Sequence, residues 1–189
     1  FRFGFASYML FAFVLVQIHI LLPLYVHDFL QERGDIYASA EVYYSLGAIL
    51  AGLFVISIFK KLNSIFGIIC LMLVVAIAFA GMTFYKSLLY FFIANLILGL
   101  TNAGVRVLRT TYLFNHIPNN VIGRTSSVFN SLNIMVRMCL IGLFALHFFT
   151  TNDNVRYGYL VGAIMVLMAI IPLILHYKSL INLDKKKED

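Results

Sequence analysis

Asparagine and arginine recur inside the most apolar stretches of this 189-residue chain, and they recur at helical spacing. Wound at about 100° per residue, Asn95, Asn102, Arg106 and Arg109 share one stripe about 60° wide. Ser126, Asn130, Asn133 and Arg137 form a second such stripe on the following apolar segment. Amides and guanidinium groups of this kind hold and orient the polar parts of a small molecule, or tie helices together. A polar group in hydrocarbon is costly, so each needs a partner or a wet cavity. At about 1.5 Å rise per residue, Asn102, Asn133 and Arg137 fall near the middle of their segments, while Arg106 and Arg109 stand nearer an end. Arg106 and Arg109 are therefore expected in a gate or reaching for the interface.

No carboxylate is expected at the depth of Arg137. Asp28, Glu32, Asp35, Glu41 and Asp153 fall at or beyond the outer ends of the apolar segments, and Asp184, Glu188 and Asp189 in the tail. Arg137 must then face backbone carbonyls and water, a carboxylate from a missing partner, or an anionic group of a substrate. Gln17 and His19 lie two positions apart and point to opposite sides of a helix. Gln17 is assigned to the shared polar face; His19 could relay protons, and is read first as a hydrogen-bonded packing residue.

The residues give no basis for covalent chemistry. Intramembrane aspartyl and zinc proteases need buried carboxylates or a His-Glu-x-x-His pair, and neither pattern occurs. Ser45-Leu46-Gly47 superficially suggests a serine nucleophile, but no histidine has an evident reason to meet it. Asn-Pro-Ala boxes and a potassium-filter sequence are also missing. Cys70 and Cys139 sit in apolar runs, where a thiol acts as a small hydrophobe. No catalytic residue, metal or cofactor is expected, and the chain does not read as an enzyme.

The elements that must carry the stripes follow from composition. The chain is 62% hydrophobic and only 12% charged, against about 25% charged for a soluble domain. That balance excludes a disordered chain, a nucleic-acid module and an ordinary water-soluble enzyme. Six stretches reach the roughly 20 apolar residues that a membrane-crossing helix needs: 3–26, 40–59, 64–84, 87–114, 121–149 and 157–177. The expected fold is an all-α membrane protein, a bundle of six transmembrane helices over residues 1–181 with a charged tail at 182–189. Small residues four apart, Ala48 with Gly52, Gly99 with Ala103 and Gly158 with Gly162, predict close helix approaches. Most of the tyrosine and phenylalanine is expected in interfacial belts and lipid contact.

Six spans put both termini on one side. Outside the spans that side carries eight Lys and Arg residues, among them Lys60, Lys61, Arg124 and the three lysines of the tail. The other side carries three, Arg33, Lys86 and Arg156. Both ends are therefore expected in the cytoplasm, with the chain multi-pass in the cell membrane. The first residue is Phe1, and the first span exceeds a signal-peptide core, so it reads as a retained span within an excerpt of a longer chain.

Three segments then carry a resemblance. Leu22-Pro23-Leu24-Tyr25-Val26 resembles the end of helix seven in the major facilitator superfamily of transporters. Lys60-Lys61-Leu62-Asn63 resembles a degenerate copy of its Gly-x-x-x-Asp-Arg-x-Gly-Arg-Arg loop, lacking the acid and with Asn63 at the last glycine position. The run from Ile117-Pro118-Asn119-Asn120 through Gly123-Arg124-Thr125-Ser126-Ser127 resembles the Pro-x-x-x-x-x-Gly-Arg-x-x-Ser opening of helix eleven in drug exporters of that superfamily. The chain as a whole is similar to the C-terminal six-helix half of such a transporter.

The resemblance implies one half of a two-half fold, moving a small amphipathic molecule by alternating access. Efflux of a drug or siderophore driven by protons is the expected direction. The substrate pathway would be lined by Gln17, Asn95, Asn102, Asn133 and Arg137. Arg106, Arg109, Asn130, Gly123, Arg124, Lys60 and Lys61 would act in gating or structure. The implied partners are the bilayer, a missing N-terminal six-helix half, the small-molecule substrate and protons, with no nucleic acid. The coupling acid would lie in the missing half. The alternative is a self-contained six-span channel or interaction subunit that covers its stripes by forming an oligomer.

Overall fold

The computed structural model describes residues 2–59, 63–149 and 152–180; Lys60, Lys61 and the expected tail lie outside them. Six helices are long and apolar enough to cross a membrane, and no strand occurs among the described residues. This is a multi-pass membrane chain.

The first helix, α1, changes register along its length. It runs as α-helix over Arg2–Val16, widens to π-helix over Gln17–Leu21, tightens over Leu22–Leu24 and widens again over Tyr25–Leu30. Pro23 is the physical cause at hand. Its ring nitrogen cannot donate the bond that an uninterrupted α-helix would give to the His19 carbonyl, and wide turns absorb such a break. The Leu22 N–H reaches back to the Gln17 carbonyl, one residue further than in an α-helix. The helix stops at Gln31, which holds a left-handed conformation (φ 61°) where a glycine is usual.

The remaining helices are α2 (Gly34–Phe59), α3 (Ser64–Phe84), α4 (Leu88–His116), α5 (Asn119–Phe144) and α6 (Arg156–Leu175). Asn63 caps α3 by accepting from the Ile65 N–H at 3.0 Å, and Pro118 stops the chain between α4 and α5. The expected boundaries shift most in three places. The first span runs on to Leu30 rather than ending at 26. The second span opens at Gly34 rather than 40, because Asp35 and Ser39 fit a first helical turn, Ser39 donating to the Asp35 carbonyl. The fifth ends at Phe144, and 145–149 form turns instead of helix.

Helix pairing is simple. α1, α4, α3 and α6 form a closed ring, each packed on the next, while α2 packs on α4 and α5 packs on α1. Exchanging the first three helices for the last three leaves this set of pairings unchanged. Short connections make successive helices antiparallel, so the exchange also inverts direction across the membrane. The ring closes on aromatic rings. Phe13 meets Phe79 edge-on at 4.9 Å, Phe79 meets Tyr159 at 5.9 Å, and Tyr25 touches both Tyr159 and Phe91. The Tyr25 hydroxyl donates to the Met82 carbonyl at 2.7 Å, so this deep phenol on α1 is satisfied.

Glycines set how closely the helices come together. A methyl group at Gly47 would overlap the Leu96 carbonyl, and one at Gly99 would overlap the Tyr44 carbonyl, so α2 and α4 meet backbone to backbone. Gly162 receives the Phe13 ring and Gly158 the Leu21 side chain. The pairs expected around Gly99 and at Gly158 and Gly162 thus lie at contacts. Gly52 of the pair Ala48 and Gly52 does not, since it faces open space, and Gly47, next to Ala48, makes the approach instead. Gly99→Val should cost about 1–3 kcal/mol of stability by overpacking. Thermal unfolding in detergent will show the loss, while Gly52→Ala should melt at the wild-type temperature or above it.

Candidate functional site

α2 and α5 are the least enclosed helices, each with 22% of its apolar window buried against 44–61% for the other four. The end of α1 also touches α2, and α5 touches α4. The two flanking helices therefore stand beside α1 and α4, with α3 and α6 behind. The open face so framed is where the expected polar stripes can meet.

The α4 stripe is divided among its neighbours. Asn95 is buried and donates to the Phe91 carbonyl of its own helix at 2.8 Å. Asn102 turns to α2, its amide donating to the Tyr44 hydroxyl at 2.7 Å. Arg106 is exposed on the open face. Arg109 is 5% exposed and held against α1 rather than extended away from the bundle. Its guanidinium carbon lies 3.9 Å from the centre of the Tyr8 ring, and Nη1 donates to the Ser7 carbonyl at 3.3 Å. An aromatic face and a carbonyl stand in for the missing carboxylate.

The α5 stripe splits in the same way. Asn133 is buried and donates to the Tyr8 carbonyl at 3.0 Å. Asn130 and Ser126 remain exposed, as does Arg124, and Gly123 meets nothing that would require a glycine. Arg137 is half-buried, and its Nε is enclosed without a hydrogen-bond partner among the described residues. Tyr8, stacked on Phe129 at 5.3 Å, is the shared post against which Asn133 and Arg109 both rest.

On α1 the assignment of Gln17 and His19 is reversed. Gln17 is fully buried and turned to α6, donating to the Tyr159 hydroxyl at 3.4 Å. His19 is exposed and continues the file Tyr8, Phe11, Leu15, along which side chains are half-open. At about 100° per residue His19 falls about 20° from Tyr8, so ordinary helical spacing keeps it in this file. The two residues do face opposite ways, as their spacing requires.

The long apolar helical segments also take in carboxylates: Asp28 near the end of the first, Asp35 and Glu41 in the second, and Asp153 at the start of the sixth. Because α2 begins at Gly34, Glu41 stands about two turns into it rather than at its outer end. It is exposed and accepts from the Tyr37 hydroxyl at 2.6 Å. Ala38, Val42, Ser45, Leu46 and Ile49 continue the shallow depression beside it. Glu41, Tyr44, Tyr8 and Tyr159 are the residues that sequence reasoning missed. The tyrosines stand in view within apolar helical segments, but nothing in their spacing separates an inward phenol from a belt residue.

Comparison of the chain with protein-family models, with curated proteins and with solved structures returns no match. What the geometry itself defines is a six-helix membrane bundle with one amphipathic, partly cationic face. The pair that joins α2 to α4 there can be weighed directly. A double-mutant cycle on Tyr44→Phe and Asn102→Leu should give a coupling of about 0.6 kcal/mol, and at most about 1.7, the range of hydrogen bonds between membrane helices. Unfolding in detergent measures it, and strictly additive losses would mean the two groups do not act together.

Proposed function

We propose that this chain forms one six-helix half of a transporter resembling the major facilitator superfamily, moving a small amphipathic molecule by alternating access. The observation that carries the reading is the pairing pattern: two inverted three-helix units with polar side chains grouped on α1, α4 and their flanks. Transporters built from inverted repeats bind cargo at such a repeat interface, near the middle of the membrane. Arg137 and Arg106 give the face positive charge, and α3 to α6 contain no Asp or Glu to neutralise it. An anionic group on the cargo would do so.

The flanks point to a partner. Leu46, Ile49 and Leu53 on α2 and Met135 and Met138 on α5 are exposed beside polar neighbours such as Glu41, Asn130 and Arg137. Lipid suits the apolar members of this set but not the polar ones. A second six-helix half, seated on α2 and α5, covers both and encloses the pathway. Export driven by protons is the direction the helix-eleven resemblance favours, with both termini in the cytoplasm.

Cells expressing the protein, wild type or Arg137→Ala, provide the test when loaded with one cationic dye and one anionic chelator, with and without a protonophore. The expected result is energy-dependent efflux of the chelator that falls about tenfold in the variant, equivalent to about 1.4 kcal/mol, with the dye unaffected. Equal loss for both probes would move Arg137 from the cargo to the gate. No efflux of either probe from wild type would end the exporter reading, and bring forward a six-span oligomer covering the same flanks.

A further inference from the structure

We propose that His19 is the proton-binding group of the open face. Three observations converge on it. His19 stands at the middle of the 25-residue span Ala6–Leu30, where an ionisable side chain is costly unless it serves a pathway. It is exposed, and it makes no hydrogen bond or ion pair with any described residue, unlike Gln17 two positions away. It lies in the π-helical turn upstream of Pro23, and such turns recur where a helix presents a functional group.

The surrounding charges leave the role to this residue. From the elements packed on α1, α4 contributes Arg106 and Arg109, α5 contributes Arg137, and α2 contributes Glu41 near the far end. α6 contributes Tyr159, which is turned to Gln17 on the other side of α1. It also contributes Arg156, whose guanidinium carbon lies 5.7 Å from the centre of the Phe29 ring at the end of α1, where His27 and Asp28 pair with each other. Arginine keeps its proton throughout the physiological range, and a phenol does not lose its proton there either. Imidazole is the side chain whose charge changes near neutral pH. Along the file Tyr8, Phe11, Leu15 and His19, the imidazole is the group that can take a proton on a ring nitrogen from one side of the membrane and return it to the other. Resting on the transport reading, this step makes His19 the point at which proton movement meets the cargo's movement, in place of a carboxylate in another part of the protein.

Two readouts test the proposal separately. Ring-labelled histidine, observed by nitrogen NMR in the protein reconstituted in vesicles, should lose one pH-dependent signal in His19→Asn. The signals of His27, His116, His147 and His176 persist as internal references. If no titrating signal is lost in His19→Asn or in a second variant, His19→Gln, the proton site is overturned. Chelator efflux from the same vesicles should depend on pH in wild type and become at least about threefold less dependent in the variants, with maximal transport at a fixed pH retained in part. An unchanged pH profile, with the NMR signal lost, would overturn the coupling role. A titrating His19 signal in protein that moves neither probe would uphold the proton site and reject the transport reading instead. Pro23→Ala keeps the imidazole but restores a backbone donor for the His19 carbonyl, and should weaken the pH dependence. A wild-type profile in Pro23→Ala would remove the π-turn from the account.

Discussion

The bundle depends on how closely α2 and α4 approach at Gly47 and Gly99. Between membrane helices there is no hydrophobic driving force to speak of, because lipid tails are as apolar as the side chains they would replace. Contact must come from tight packing and from polar groups with no better partner. Two glycines facing carbonyls let these backbones touch, and that puts the Tyr44 hydroxyl within 2.7 Å of the Asn102 amide. The α4 stripe meets α2 around Asn102, beside Gly99, and meets α1 around Arg109. A single stripe on a 29-residue helix therefore serves two neighbours at different depths. Arg106, between the two contacts, is left on the open face.

The same logic explains why tyrosine rather than carboxylate pairs with the intramembrane polar groups. A carboxylate beside Arg109 would add a second charge to be taken out of water, with its own desolvation cost. The Tyr8 ring offers an attractive face at 3.9 Å without that cost, and the Ser7 carbonyl accepts one donor. Tyr8 also gives its carbonyl to Asn133, so one residue of α1 anchors both α4 and α5. Gln17 with Tyr159 repeats the arrangement toward α6.

Much of this is legible in the residues. Hydropathy alone gives the number and order of the helices, and helical spacing puts the two asparagine and arginine stripes on α4 and α5. What spacing cannot tell is which neighbour covers which part of a stripe, since that depends on where the helices cross. Asn95, Asn102 and Arg109 share a face yet have three different partners. Ala48 and Gly52 match a small-residue pattern, but the crossing point falls one residue away, on Gly47. Glu41 reads as standing at the outer end of its span because Arg33-Gly34-Asp35 resembles a polar loop, whereas Gly34 and Asp35 open the helix about two turns before it. The reversal at Gln17 and His19 follows the ordinary helix wheel. At about 100° per residue His19 falls about 20° from Tyr8 and Gln17 about 180° from it. What spacing alone does not tell is which side of α1 is open.

The change of helix type around Pro23 distinguishes the two halves of the bundle. The inverted pairing treats α1 and α4 as equivalents, yet their open faces differ in chemistry. α4 presents Arg106, a fixed charge on a regular helix. α1 presents aromatic and aliphatic side chains, then an imidazole whose charge is adjustable, on a helix whose register changes twice. A regular helix holds a side chain in one orientation; a π-turn can return to α-geometry by a shift of one residue, which rotates every side chain beyond it. On the transport reading, the symmetric scaffold supplies the rocking motion, the arginines of α4 and α5 supply a constant field for cargo, and α1 supplies the variable element. The break at Pro23 is then the feature that lets one repeat respond to a proton while its counterpart does not.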